Sequence, residues 1–70
     1  MIPLTYANPQ ESGIIKKIGG NPEVKRHLEN LGFVVGAEIR VVNSVGGNLI
    51  VSVKEVRVAL SKELAQKVMI

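Results

Sequence analysis

One pair of side chains in this sequence has the types and spacing of a metal site. Glu23 and His27 lie four residues apart, so on a helix they would face the same side. A carboxylate and an imidazole can share Zn²⁺ or Fe²⁺. Two ligands from one chain are too few for a tight site. We therefore expect no cofactor, and at most weak binding of Fe²⁺ or Zn²⁺ by this pair.

The other residue types argue against catalysis. The chain has no cysteine, no aspartate and a single histidine, and no serine lies in a nucleophile-elbow context, so no catalytic triad can be assembled. The glycine pairs Gly19-Gly20 and Gly46-Gly47 lack the fingerprints of phosphate-binding loops and are typical of turns. We predict a protein that is not an enzyme.

Length and charge limit the class further. The 70 residues predict a single domain, 1–70. No signal peptide is visible, and the longest uncharged stretch, Val41–Val53, is too short to span a bilayer. We therefore expect a cytoplasmic protein without direct membrane insertion. A core this small would gain stability from a partner or from self-association. The net charge of +3 permits contact with nucleic acid or acidic surfaces but does not require it.

The middle of the sequence predicts a short helix that ends at a glycine. Asn21 can cap the free amides, and Pro22 suits the first helical position. Apolar residues recur at i, i+4 and i+7 and predict one buried stripe made of Val24, Leu28 and Leu31. We expect Gly32 to stop the helix in a left-handed conformation, which would let Phe33 pack back on Leu28.

Alternating apolar residues predict strands on both sides of this helix. The predicted strands are Gly13–Ile18, Ala37–Val41, Leu49–Val53 and Val56–Leu60, with an extended ending at Lys67–Ile70. Gly46-Gly47 suits a hairpin turn, whereas Lys54-Glu55 lacks the residues that such turns prefer and predicts strain or a bulge. With a second helical turn at Ser61–Ala65, these elements predict a mainly β fold, a small closed or half-closed barrel of about five strands with one or two short α-helices.

The exposed side of the predicted helix is the first candidate for a partner-binding surface. Lys25, Arg26 and His27 are the densest basic group in the chain, and the element that carries them is closed at both ends. Tyr6 is a second candidate. Tyr6 and Phe33 are the only aromatic residues, too few for a base-stacking platform, so no nucleic acid partner is expected.

The order of the elements resembles the FeoA family of ferrous iron transport accessory proteins. The resemblance covers essentially the whole chain, and its best parts are Arg26, Leu28, Leu31, Gly32 and Gly36, then Val58-Ala59-Leu60 and Ala65. The sequence departs from the family pattern at Gln10 and Glu55, where the family often has glycine, and its Gly46-Gly47 loop is shorter than in many members.

This resemblance implies an SH3-like β-barrel that works in the bacterial cytoplasm. Its partner would be FeoB, a membrane protein with a cytosolic GTP-binding domain that moves Fe²⁺. The implied role is regulatory, either by holding the transporter complex together or by biasing its GTP-binding domain. The basic group at Lys25, Arg26 and His27 is then predicted to contact an acidic patch on the cytosolic part of that transporter.

Two alternatives stay open at this point. The chain could be a small RNA-binding barrel, which salt-dependent RNA binding would reveal. It could also be a metal-sensing module related to the C-terminal domain of metal-dependent repressors, with Glu23 and His27 completed by ligands from another chain. Calorimetry with Fe²⁺ or Zn²⁺ would reveal that function.

Overall fold

Six short strands and two α-helices form the fold in the computed structural model, which describes residues 1–70. The strands are β1 (Ser12–Ile14), β2 (Lys17–Ile18), β3 (Glu38–Val45), β4 (Asn48–Val53), β5 (Val56–Ser61) and β6 (Val68–Met69). The helices are α1 (Pro22–Asn30) and α2 (Lys62–Ala65), and a 3-10 turn occupies Leu4–Tyr6. The predicted mainly β fold is confirmed, with one strand more than expected. Neither helix is long and apolar enough to cross a membrane.

The strands form two antiparallel sheets around one core. The larger sheet has the order β1-β3-β4-β5, and β2 pairs with β6 in the smaller one. Fourteen buried residues, all hydrophobic, form a single cluster with members from both sheets and from α1. The burial of Leu49, Val51 and Val53 on one face of β4 confirms the predicted alternation there.

The predicted strand Gly13–Ile18 is wrong as one element, because the chain changes sheets in its middle. The amide of Ile15 donates to the carbonyl of Ala37 beside β3, at 2.9 Å, whereas the next amide, that of Lys16, donates to Met69 in β6, at 2.8 Å. Ile15 is fully buried at this corner. The two sheets therefore share one continuous segment, and its break leaves Lys16 exposed at the corner.

Both predicted ends of α1 are confirmed. The Asn21 side-chain oxygen accepts a hydrogen bond from the Val24 amide at 2.9 Å. At the other end Gly32 has φ of +104°, and its amide donates to the carbonyl of Glu29. The Phe33 amide donates to the carbonyl of Leu28, which completes a Schellman ending.

The buried stripe predicted for α1 is shorter than expected. Leu28 is fully buried, and Val24 is half-buried against the core. Leu31 is 36% exposed, so its predicted place in the stripe is wrong. Leu31 caps the helix after its last residue, Asn30, where the chain already turns toward Gly32.

Three non-glycine residues have left-handed backbone conformations. They are Gln10, Lys54 and Glu55, with φ of 70°, 51° and 65°. The strain predicted for the turn between β4 and β5 is thus confirmed. Gln10 and Glu55 are also the two positions at which the FeoA pattern often has glycine, which adopts such φ values without strain.

The predicted strands after α1 are longer in the structure. β3 extends beyond Val41 to Val45, and its register with β4 shifts between Val41 and Asn43. In β5 the predicted buried face holds only partly, because Val56 is 58% exposed whereas Leu60 is buried. Val56 lies at the turn end of the outermost strand, where no further strand covers it.

Candidate partner-binding surface

The basic group of α1 does not form a single face. Lys25, Arg26 and His27 are all exposed, but consecutive helical residues point about 100° apart. Lys25 shares its side of the helix with Glu29, four residues on. Of the three, only Lys25 lines the cleft beside the helix.

A cleft of about 410 Å³ beside α1 brings Lys25 together with two other lysines. Lys16 and Lys17 reach it from the corner where the chain changes sheets. The other residues lining the cleft are Ile18, Glu29, Phe33, Val34 and Val35. We call this surface the basic cleft, defined by Lys16, Lys17, Lys25 and Val35. It joins basic residues that are separated by a helix cap and two glycines in the sequence.

Two local structures fix the walls of the basic cleft. At the sheet change the Lys16 amide donates a hydrogen bond to the carbonyl of Met69, and the capped N-terminus of α1 positions Lys25. The Schellman ending turns the chain so that Val34 and Val35 follow the helix closely, and Val35 is 64% exposed. An exposed valine among lysines is an apolar contact point for a partner, and Val35 is not part of the hydrophobic core.

The charge of the cleft is one-sided. Three lysine ammonium groups line it against one carboxylate, that of Glu29, a difference of +2. Such a surface attracts acidic groups and raises the rate at which they associate. With Val34 and Val35 beside the lysines, it suits an acidic protein surface that also offers apolar contacts.

The remaining predicted site residues lie outside the basic cleft. Arg26 and His27 do not line it, and neither does Tyr6, which is 75% exposed on the 3-10 turn. Glu23 and His27 are exposed on α1. No group of three His, Cys, Asp or Glu side chains comes together to hold a metal ion. Weak metal binding by the Glu23–His27 pair stays a prediction.

Sequence reasoning missed three members of this surface. The Lys16-Lys17 pair is visible in the sequence as a charge cluster, and this was the signal that could have found it. Its proximity to Lys25 depends on the sheet change, which the strand pattern does not encode. Nothing in the sequence marks Val35 as an exposed contact residue, because an apolar residue before a strand is normally expected in the core.

Comparison with known proteins identifies the family. A family model described as the FeoA domain matches residues 2–70. The chain belongs to the FeoA family. It is 31% identical to a candidate Fe(2+) transport protein A of Methanocaldococcus jannaschii, over all of this chain and 85% of the relative. The similarity to this Fe(2+) transport protein A thus covers the whole length of the chain.

Solved structures agree with this assignment and with the fold. An iron uptake regulatory protein (FeoA) is 38% identical with a TM-score of 0.90, and the match covers 97% of this chain and 90% of that one. The zinc-complexed FeoA of Stenotrophomonas maltophilia, described as an SH3 domain protein, is 30% identical with a TM-score of 0.81, over 94% and 85% of the two chains. The expected SH3-like fold is confirmed.

The fold also occurs in a repressor. A manganese-dependent transcriptional repressor is 20% identical with a TM-score of 0.85, but the match covers 93% of this FeoA-family chain and only 38% of the repressor. This likeness shows a shared fold. It therefore supports the alternative of a metal-sensing module in architecture alone.

Proposed function

We propose that this FeoA-family protein is a non-enzymatic accessory of bacterial ferrous iron uptake that docks on a FeoB-type membrane transporter from the cytosol. The observation that carries the proposal is the FeoA family match over residues 2–70. The names of its relatives, which refer to Fe(2+) transport and iron uptake, support the same role. The protein would act in the cytoplasm, bound to the transporter's GTP-binding part.

The basic cleft is the surface we propose for this docking. Lys17 and Lys25 lie on β2 and α1, and the backbone of Lys16 is hydrogen-bonded to β6, so little backbone freedom is lost at the lysines on binding. Lys16, Lys17 and Lys25 would face carboxylates of the partner, and Val35 would be covered by an apolar side chain. This replaces the single helix face at Lys25, Arg26 and His27 with a surface that shares only Lys25 with it.

A double charge reversal tests the docking surface. Lys16→Glu with Lys25→Glu changes the charge of the cleft by −4, and both side chains are exposed, so the fold should persist. Binding to the isolated GTP-binding domain of the transporter is measured at several salt concentrations. We expect the dissociation constant to rise at least about tenfold, which corresponds to about 1.4 kcal/mol, and its salt dependence to weaken.

A matched control separates the cleft from overall charge. Arg26→Glu with Lys62→Glu makes the same change of −4 at exposed residues outside the cleft. This variant should lose much less affinity than the cleft variant, because neither residue lines the cleft and exposed charges without a direct partner contribute little. Equal losses in the two variants would contradict the assignment of docking to the cleft. Unchanged binding in both would place the docking surface elsewhere.

A further inference from the structure

The outermost strand of the larger sheet, β5, has an unpaired edge. It pairs only with β4, and the two-residue turn at Lys54-Glu55 closes that hairpin with Val53 opposite Val56. Bonded and non-bonded pairs alternate along an antiparallel ladder, so Val56 and Val58 face β4 with their backbone groups. The backbone N–H and C=O groups of Arg57 and Ala59 then face away from the sheet. No hydrogen bond from a turn, loop or side chain reaches them.

This edge lacks most of the features that protect exposed strands. β5 has six residues with no proline and no bulge in its pairing, and Arg57 is its only charged residue. Edge strands are normally shortened, bent, covered or charged, because a regular one can accept another strand. By contrast, β1 at the opposite end of this sheet has only three residues.

The outer face of the sheet next to this edge carries two free arginines. The strand registers place Ser12 opposite Arg40, Arg40 opposite Ser52, and Ser52 opposite Arg57. These four residues therefore form one row across the sheet, with Arg57 at the open end. Neither guanidinium takes part in any side-chain hydrogen bond of the structure. A strand added beside β5 would place one of its side chains directly in line with this row.

The residues beside Arg57 define what such a strand would contain. Ala59 is exposed and small, and the residue beside it on β4, Ile50, is half-buried. A large apolar side chain opposite Ala59 would cover both. On the other face Val58 is half-buried and Val56 is exposed, so apolar side chains fit there as well. The complementary pattern is an acidic residue opposite Arg57 with apolar residues around it.

We propose that the edge of β5 binds an extended segment of a partner protein, with an acidic residue opposite Arg57 and a large apolar residue opposite Ala59. Backbone hydrogen bonds to Arg57 and Ala59 would supply the pairing, as in strand addition generally. A second copy of this chain fits less well. β5 contains no acidic residue, so the copy would bring another Arg57 to the same face instead of a counter-charge. The inference does not depend on docking at the basic cleft, with which it shares no residue.

The blocked peptide acetyl-SLVEVS-amide tests the edge directly. In antiparallel pairing its leucine lies opposite Ala59 and its glutamate opposite Arg57. Binding is followed by amide chemical shifts and hydrogen exchange on the intact protein. At a peptide concentration ten times the dissociation constant, exchange of the Arg57 and Ala59 amides should slow about tenfold. Amides that already bond to β4, such as Val58, should change little.

Three variants make the test specific. Ala59→Pro removes the outward amide and should abolish binding, since an edge strand tolerates proline where its N–H faces solvent. Arg57→Glu should raise the dissociation constant about five- to tenfold, because an attractive cross-strand pair becomes a repulsive one. A peptide with lysine in place of glutamate should restore the affinity for Arg57→Glu. Arg40→Glu is the matched control, with the same charge change two strands from the edge, and should have a smaller effect.

The proposal is overturned by any of four results. The first is that the peptide does not slow exchange at the Arg57 and Ala59 amides, and the second is that Arg57→Glu and Arg40→Glu lose equal peptide affinity. The third is that the lysine peptide does not restore affinity for Arg57→Glu. The fourth is that protection of these amides grows with protein concentration when no peptide is present. The last result would assign the edge to a second copy of the chain. If Ala59→Pro does not fold, the charge swap at Arg57 still tests whether the peptide binds beside β5.

Discussion

Replacing Gly32 by alanine should destabilise the protein through backbone strain alone. Gly32 has φ of +104°, and a Cβ there would meet Val53 Cγ1 at 3.6 Å, an ordinary contact. The cost is therefore conformational, about 1–2 kcal/mol for an L-residue in left-handed space. The φ of Gly32 lies beyond the usual left-handed region, so we expect a strain cost near the upper end of this range. Alanine also lowers the conformational entropy of the unfolded chain, and this offsets about 0.4–1 kcal/mol of the strain cost.

The net expectation for Gly32→Ala is a loss of about 1 kcal/mol in the free energy of unfolding, or about 4–8 °C in the melting temperature of a domain this size. Urea unfolding and thermal melts measure both quantities. Gly47→Ala is the matched control, because Gly47 has no left-handed φ and nothing within 4 Å of its Cβ position. It should change stability by less than about 0.5 kcal/mol.

Chemical synthesis of the 70-residue chain allows a sharper comparison. D-alanine at position 32 has the mirror-image backbone preference, so it should leave stability unchanged or raise it. A wild-type urea midpoint for Gly32→Ala would show that the left-handed backbone at position 32 carries no such cost. Equal destabilisation by D-alanine and L-alanine would also contradict a backbone cause, since it would indicate a steric one.

Two further changes test the core and the strained turn. Leu28→Ala should cost about 2–5 kcal/mol, because Leu28 is fully buried, whereas Arg26→Ala on the exposed side of α1 should cost less than about 0.5 kcal/mol; equal urea midpoints would mean that α1 is rotated. Glu55→Gly should raise the free energy of unfolding by about 0.5–1 kcal/mol, because it removes a left-handed non-glycine residue with φ of 65°. A loss of stability at Glu55→Gly would show that the turn is not strained there.

Local signals in the sequence predict most of the elements. The N-cap Asn21 and the terminating glycine Gly32 lie directly at the ends of α1, so both could be recognised without tertiary information. The missing glycine in the turn after β4 likewise predicted strain at Lys54-Glu55. In these cases the physical cause is a short-range hydrogen bond or a φ preference, and both belong to the local chain.

The errors concern features that depend on distant parts of the chain. The run Ile14-Ile15 suits a continuous strand, and only the pairing of Lys16 with Met69 shows that the chain changes sheets. Leu31 fits the apolar spacing of α1 but lies where the helix has already ended. For the same reason the basic cleft could not be predicted, since it joins Lys16 and Lys25 through tertiary packing that no spacing encodes.

Ferrous iron uptake in cells is the most direct test of the proposed function. The initial rate of Fe²⁺ uptake is measured in cells that keep the transporter but lack this chain. The measurement is repeated in cells supplied with the wild-type chain, with the cleft variant Lys16→Glu with Lys25→Glu, or with the control variant Arg26→Glu with Lys62→Glu. We predict that wild type and the control restore uptake and that the cleft variant, folded and present at the same level, does not. Uptake that is unaffected by loss of the chain, or fully restored by the cleft variant, would contradict the proposal.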